Sequence, residues 1–265
     1  MPVLPLDVFW KKFTESGLLS VDKIPGVQAA CLDAMKQSGS LGNQTALSAQ
    51  WLVRQGIVTL WQAKQLVKGN ANGFFMGDYR LLEKHEMPLG GVVYRGRHDP
   101  TKQSVSLVPI DDSASQRVEV WTEIVRHVER AAETTSPVLS RTWALESTGE
   151  YRFIVCEDLG AAVSIAAVGQ ASRWPIVEAL LAAFSVCRGV AEIHRLGGVH
   201  GLISTRVVVG SAADLAEHKG LRLLQYPLSG DPLCFVAADS LRSPQVVSKL
   251  AEQICFIPPE RLVSG

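Results

Sequence analysis

Paired cysteines are missing from this sequence. Cys31, Cys156, Cys187, Cys234 and Cys255 are scattered, odd in number and never arranged as C-x-x-C. That argues against both a disulfide framework and a zinc site. Reduced thiols acting as small buried hydrophobes are expected instead, in a cytoplasmic setting. Net charge is missing too, because 26 basic residues face 26 acidic ones and no dense Lys/Arg run appears. No long-range field therefore draws the chain to nucleic acid or to an anionic membrane. The longest apolar stretch, 176–187, is interrupted by Glu178 and stopped by Arg188, so it is too short to span a bilayer. The opening MPVLPLDVFWKKF lacks the basic-then-apolar order of a signal peptide. Repeats and low-complexity tracts are also absent. What is present is ordinary globular composition, 47% hydrophobic and 20% charged. That is enough for a core in one two-lobed domain, or in a domain with a small companion.

Three regions follow one another. Up to about residue 68, Phe9, Trp10 and Phe13 share a helical face. Ala46 to Lys68 carries Leu52, Val53, Ile57, Leu60, Leu66 and Val67, punctuated by Gly56 and Thr59. Two or more short helices joined by tight turns are expected there. Gly69 to Gly73 reads as a turn-rich linker. From Gly77 the pattern turns to strands, at 79–83, 92–94, 105–108 and 151–156, with a charged helix over 118–132. Trp174 to His194 is the clearest helix, with Pro175 near its start and Ile176, Leu180, Phe184, Cys187 and Val190 on one face. Short strands are expected around 207–209 and 221–224. Strands first and helices later imply an α+β class.

Order and spacing then add a resemblance. Gly77-Asp78-Tyr79-Arg80-Leu81-Leu82 with Gly91-Val92-Val93-Tyr94-Arg95 resembles the first two strands and glycine-rich loop of bacterial Ser/Thr protein kinases. Val105 to Val108 resembles the lysine-bearing strand. Ile154-Val155-Cys156-Glu157 resembles the hinge, with Cys156 as gatekeeper. Ile193-His194 and Gly198-Val199-His200-Gly201-Leu202 resemble the entry to the catalytic loop. Leu223 to Pro227 falls where D-F-G is expected, and Pro258-Pro259-Glu260-Arg261-Leu262 resembles A-P-E-R-L. The segment Gly56 to Leu66 resembles a helical stretch found ahead of such domains. The resemblance implies a two-lobed kinase-like fold with a β-rich N-lobe at 77–157 and a partial helical C-lobe at 158–265. A small all-α module at 1–70 precedes it, and the chain stops soon after the A-P-E-like residues. Either the chain is a fragment, or the protein dispenses with half a lobe. In the fragment case Leu223, Leu224, Phe256 and Ile257 are expected to show apolar surface that a longer chain would cover.

The same resemblance implies that the charges which organise phosphoryl transfer are gone. Val108 stands at the position of the phosphate-pairing lysine, and Leu202 at that of the catalytic aspartate. Val207 replaces the metal-binding asparagine, and Gln225 replaces the D-F-G aspartate that chelates Mg²⁺. Glu86 and Pro88 occupy the first two loop glycines and Pro227 the D-F-G glycine. The αC glutamate falls at Glu123 or Glu129, with a solvated helix face expected for both. His200 is expected to brace its loop. No metal site is expected and no cofactor is required. ATP or ADP without Mg²⁺ is the alternative, in a pocket formed by Gly91, Val93, Ser106, Cys156 and Glu157.

The expectation is a catalytically inactive, pseudokinase-like regulatory or scaffolding module. Its partners would be other proteins, either signalling proteins or an active kinase. The competing expectation is a divergent Ser/Thr kinase whose charges have moved, to Lys84, Arg95 or Arg97.

Overall fold

The computed structural model describes residues 4–38, 42–86, 92–149, 151–169, 174–201 and 203–225. Pro88, Gly91, Leu202, Pro227, Phe256, Ile257 and the 258–262 segment lie outside the described residues, as does the side chain of Glu86. The chain divides into two compact units. One comprises Met1–Lys84 with Tyr94–Gln103, and the other His85–Val93 with Ser104–Gly265.

In the first unit, α1 (Leu6–Glu15), a 3-10 turn (Val21–Lys23), α2 (Ile24–Ser38), α3 (Gln44–Arg54) and α4 (Leu60–Val67) precede three strands. These are β1 (Phe75–Met76), β2 (Tyr79–Glu86) and β3 (Val92–His98), neighbours in that order; the border between the units falls within β2 and β3. Phe9, Phe13, Leu18, Cys31, Leu52 and Leu66 close the helical core, and Phe74 joins it from the start of the strand region. Gly56, at φ +66°, reverses the chain between α3 and α4, a conformation that side chains with a Cβ resist.

Thr59 and Gln62 then form a reciprocal capping box at the start of α4. The same pair reaches the strands, for Thr59 Oγ1 donates to Leu82 O at 2.5 Å and Gln62 Nε2 donates to Leu81 O at 2.7 Å. Both the cap and the strand bond pass through one hydroxyl. Thr59→Val should therefore cost about 1–2 kcal/mol, measurable as a lower urea midpoint at unchanged slope.

The second unit begins with β4 (Ser104–Pro109), α5 (Asp112–Gln116), α6 (Val118–Ala132), β5 (Thr142–Thr148) and β6 (Tyr151–Glu157). β6 lies between β4 and β5, antiparallel to both, with Ser106 opposite Cys156 and Val108 opposite Ile154. β5 escapes the sequence reading because its residues, TWALEST, are half polar and only Thr142 is buried. α6 covers the sheet with Ile124, Val128 and Ala131, the four-then-three spacing of one helical face.

There follow β7 (Val163–Ser164), α7 (Ile165–Gly169), α8 (Ile176–Arg195), β8 (Val208–Gly210), α9 (Ala212–Ala216) and β9 (Arg222–Leu223), with β7, β8 and β9 forming a small antiparallel sheet. α8 buries its small-residue side, Ala182, Gly189 and Ile193. A Cβ on Gly189 would stand 2.9 Å from Leu139 Cδ2, so the backbone approach there depends on glycine. The face that carries Ile176, Leu180 and Phe184 is exposed instead. Leu223 and Leu224, expected at the surface, are buried in a cluster with Leu139, Ile193, Val207, Val208 and Val209. Among the described residues, the Val207–Leu224 backbone bond and the small sheet close that core.

Candidate functional site

Val108, Val207 and Gln225, three of the positions matched to the kinase site, have a defined place in the second unit, whereas Leu202 and Glu260 lie outside the described residues. Val108 is fully buried. It packs with Ile110, Ile154 and Cys156 of the sheet side and with Ile124 and Val128 of α6, while Val93 borders the cluster. The side of α6 that joins this cluster is apolar, with Val120 and Trp121 bordering Ile124 and Val128. Glu123 lies on the solvent side, paired with Arg126, and Glu129 is exposed as well. Where an ion pair would tie strand to helix, a hydrophobic contact does so, with no charge to desolvate.

Gln225 is 2% exposed, and its backbone groups and side-chain nitrogen are engaged by Thr134, Ser140 and Thr142. The side-chain amide Nε2 donates to Ser140 O at 2.8 Å and to Thr134 Oγ1 at 3.0 Å. Its backbone N–H donates to Ser140 Oγ at 2.9 Å, and its carbonyl accepts from Thr142 Oγ1 at 3.3 Å. The Thr134 hydroxyl already donates to Ala131 O, so it can only accept from Gln225. Two acceptors thus face this side chain. An amide satisfies them, and a carboxylate would not.

Val207 is buried and accepts from Leu224 N through its carbonyl. His200 is 3% exposed, with Nε2 2.8 Å from Leu224 O. A carbonyl can only accept, so the proton sits on Nε2.

At the hinge position, the Cys156 thiol lies in the core 4.0 Å from Thr142 Oγ1. Burial pushes it up to about 12, which keeps it a thiol rather than a reactive thiolate. Glu157 spends its carboxylate on Arg222 (3.2 Å) and on the Arg141 N–H (3.1 Å), and its own N–H donates to Arg141 O. Val93, Val108 and Cys156 are thus brought together in one apolar cluster, Ser106 lies across the ladder from Cys156, and Glu157 is turned to Arg222. Among the described residues, no three His, Cys, Asp or Glu side chains converge to hold an ion. In the first unit, Arg95 faces Glu83 at 3.8 Å, Arg97 faces Asp99 at 3.0 Å and Lys84 lies 6.0 Å from the Tyr94 ring centre.

The residues that sequence reasoning missed are the partners: Thr134, Ser140, Thr142 and Arg222. Ser140 and Gln225 are 85 positions apart in the chain, and no periodicity encodes that meeting. Glu192 is a further example. It accepts from the N–H of Thr135 at 2.7 Å and from its hydroxyl at 3.1 Å, tying α8 to the turn after α6. The Thr135 backbone bond, its hydroxyl and nearby Arg195 together hold the Glu192 carboxyl below the usual range, against a smaller burial effect. A depressed folded value means stability present above the unfolded value of 4.5 and lost as pH falls through the lower folded one. Glu192→Gln should flatten the acid limb of the stability–pH curve, by less than about 1 kcal/mol because the group is exposed.

No protein-family profile and no curated protein matches the sequence. The fold itself is that of a protein kinase domain. The kinase domain of Mycobacterium tuberculosis PknI is similar at a TM-score of 0.51 and 16% identity, over 59% of this chain and 62% of that one. A cysteine-to-alanine mutant of the same domain gives 0.50 and 15%, again over 59% and 62%. The chain thus matches less than two thirds of the length of that domain. Among the described residues, no helix is long and apolar enough to cross a membrane.

Proposed function

We propose that this chain is a kinase-like module that does not transfer phosphate and works by binding other proteins, signalling partners or an active kinase, in the cytoplasm. The observation that carries this reading is Val108. Val108, which the resemblance sets at the position of the phosphate-pairing lysine, is fully buried and shares a hydrophobic cluster with Ile124 and Val128. Phosphoryl transfer rests on positioned charge, and a cation cannot occupy that slot without losing its hydration. Gln225 supports the same reading, because its surroundings suit an amide. Fold likeness alone could not carry the point, since one fold hosts many activities.

The test is thermal unfolding with ATP or ADP, each with Mg²⁺ and with EDTA. A ligand at about 100 times its dissociation constant stabilises by about 2.7 kcal/mol. No shift is expected in any arm. A Mg²⁺-dependent shift accompanied by phosphate transfer to the chain or to a generic substrate would overturn the reading, and a shift in EDTA alone would make nucleotide a metal-free conformational ligand.

A further inference from the structure

β9 is bonded along both of its edges. On one side Arg222 and Leu223 pair with Val209 and Val208 of β8, and the Leu224 N–H donates to Val207 O at 2.9 Å. On the other side Leu139 and Leu223 form a parallel bridge. There the Leu223 N–H donates to Val138 O at 2.6 Å, and the Ser140 N–H donates to Leu223 O at 2.9 Å. The Arg222 guanidinium donates to the carbonyls of Pro137 and Leu139 and meets Glu157 at 3.2 Å. Beyond the strand, Leu224 O accepts from His200 Nε2 at 2.8 Å. The Gln225 N–H donates to Ser140 Oγ at 2.9 Å, and Gln225 O accepts from Thr142 Oγ1 at 3.3 Å. Every backbone N–H and C=O of residues 223–225 thus has a partner, and none of the three residues is more than 7% exposed.

Buried groups of this kind leave their partners only together, because one freed alone stays unsatisfied away from water. The partners lie at 138–142, at 200 and at 207, so moving any one loop does not release the segment. The attachment extends to α6. Gln225 Nε2 donates to Thr134 Oγ1, while Glu192 of α8 accepts from the N–H of Thr135. The turn that ends α6 is therefore held both by Gln225 and by α8. The resemblance sets Gln225 at D-F-G, the segment whose packing separates active from inactive kinases.

We infer that residues 222–225 are a fixed strap, which keeps one conformation with or without nucleotide and anchors the C-terminal end of α6. A module strapped in this way offers its partners one unchanging core and relays no nucleotide signal through the segment. That consequence rests on the binding role proposed above, whereas the strap itself holds whether or not the chain transfers phosphate. Hydrogen–deuterium exchange of the 265-residue chain, resolved to single amides by electron-transfer fragmentation, tests it. The Leu223 and Gln225 amides should exchange within about ten-fold of the rates in β6, with and without ATP and Mg²⁺. Exchange near the unprotected rate, or a change beyond about ten-fold on adding ATP and Mg²⁺, would overturn the inference. Ser140→Ala removes the acceptor of the Gln225 N–H. That amide should then exchange about ten-fold faster or more, with β6 and the circular dichroism unchanged. An unaltered Gln225 rate in folded S140A would also overturn the strap, and the parent chain alone decides should the variant fail to fold. Phosphate transfer with slow exchange at both amides would overturn the inactive reading and support the strap.

Discussion

Replacing Val108 by lysine, the change that would restore the missing cation, should destabilise the protein by about 3–5 kcal/mol rather than rescue an activity. Val108 has no exposed surface, and its neighbours Ile110, Ile124, Val128, Ile154 and Cys156 offer the ammonium no acceptor. Glu123, the residue best placed in sequence to receive it, is on the far side of α6 and paired with Arg126. For a unit of this size the loss corresponds to a melting point lower by roughly 10 °C.

The pH dependence identifies the cause. Burial without a partner depresses the folded pKa of a lysine below its unfolded value of about 10.4. The unfolded chain then binds more protons between the two values, so V108K should recover stability as pH rises. Val108→Met, similar in reach but uncharged, should cost less and show no such recovery. A V108K protein that melts with the parent and gains nucleotide binding would mean that the slot accepts a cation, and the inactive reading would fall.

Gln225→Asp, which places a carboxylate where the resemblance to kinases expects that of D-F-G, is expected to cost about 2–4 kcal/mol. It removes both bonds donated by Nε2 and sets an anion against Ser140 O and the oxygen of Thr134. With only acceptors ahead of it, the new carboxyl should have a raised folded pKa. The stability it retains is then present below the unfolded value of about 3.9 and lost as pH rises through the folded one. Gln225→Asn separates shape from charge, since it keeps an amide and shortens the side chain by one methylene, so it should lose less and show no pH dependence. Both curves are read by urea unfolding between about pH 4 and pH 8. A neutral outcome for Q225D would show that the position tolerates a metal ligand.

These positions also show where linear reading stops. Val108 was legible as a strand residue, because it sits in a β-branched run at a fixed distance from other recognisable segments, and its match to the lysine position rests on the resemblance. What takes the place of the ion pair was not legible, because the rotation of α6 about its axis decides whether Glu123 or Ile124 meets the strand. That rotation is set by packing Ile124, Val128 and Ala131 against the sheet. β5 was missed because a strand paired on one side and half exposed lacks the alternation that marks a two-faced strand. The helix of 176–195 was legible end to end, yet of the five residues read on one face Ile176, Leu180, Phe184 and Cys187 are exposed and Val190 packs against the core. Periodicity identifies an apolar face, but Gly189 is what lets the opposite face approach Leu139 closely.

The order of elements, the α+β class, the Gly56–Thr59 break between α3 and α4, and the absence of charge at positions 108 and 225 were determined by the sequence alone. They depend on local backbone preference and on residue identity at fixed spacing. The aliphatic environment of Val108, the acceptors around Gln225, the Glu157–Arg222 pair and the exposed face of α8 were decided only by the tertiary structure. Each depends on which surfaces meet after residues up to 91 positions apart are brought together, and close packing and hydrogen-bond satisfaction select that arrangement.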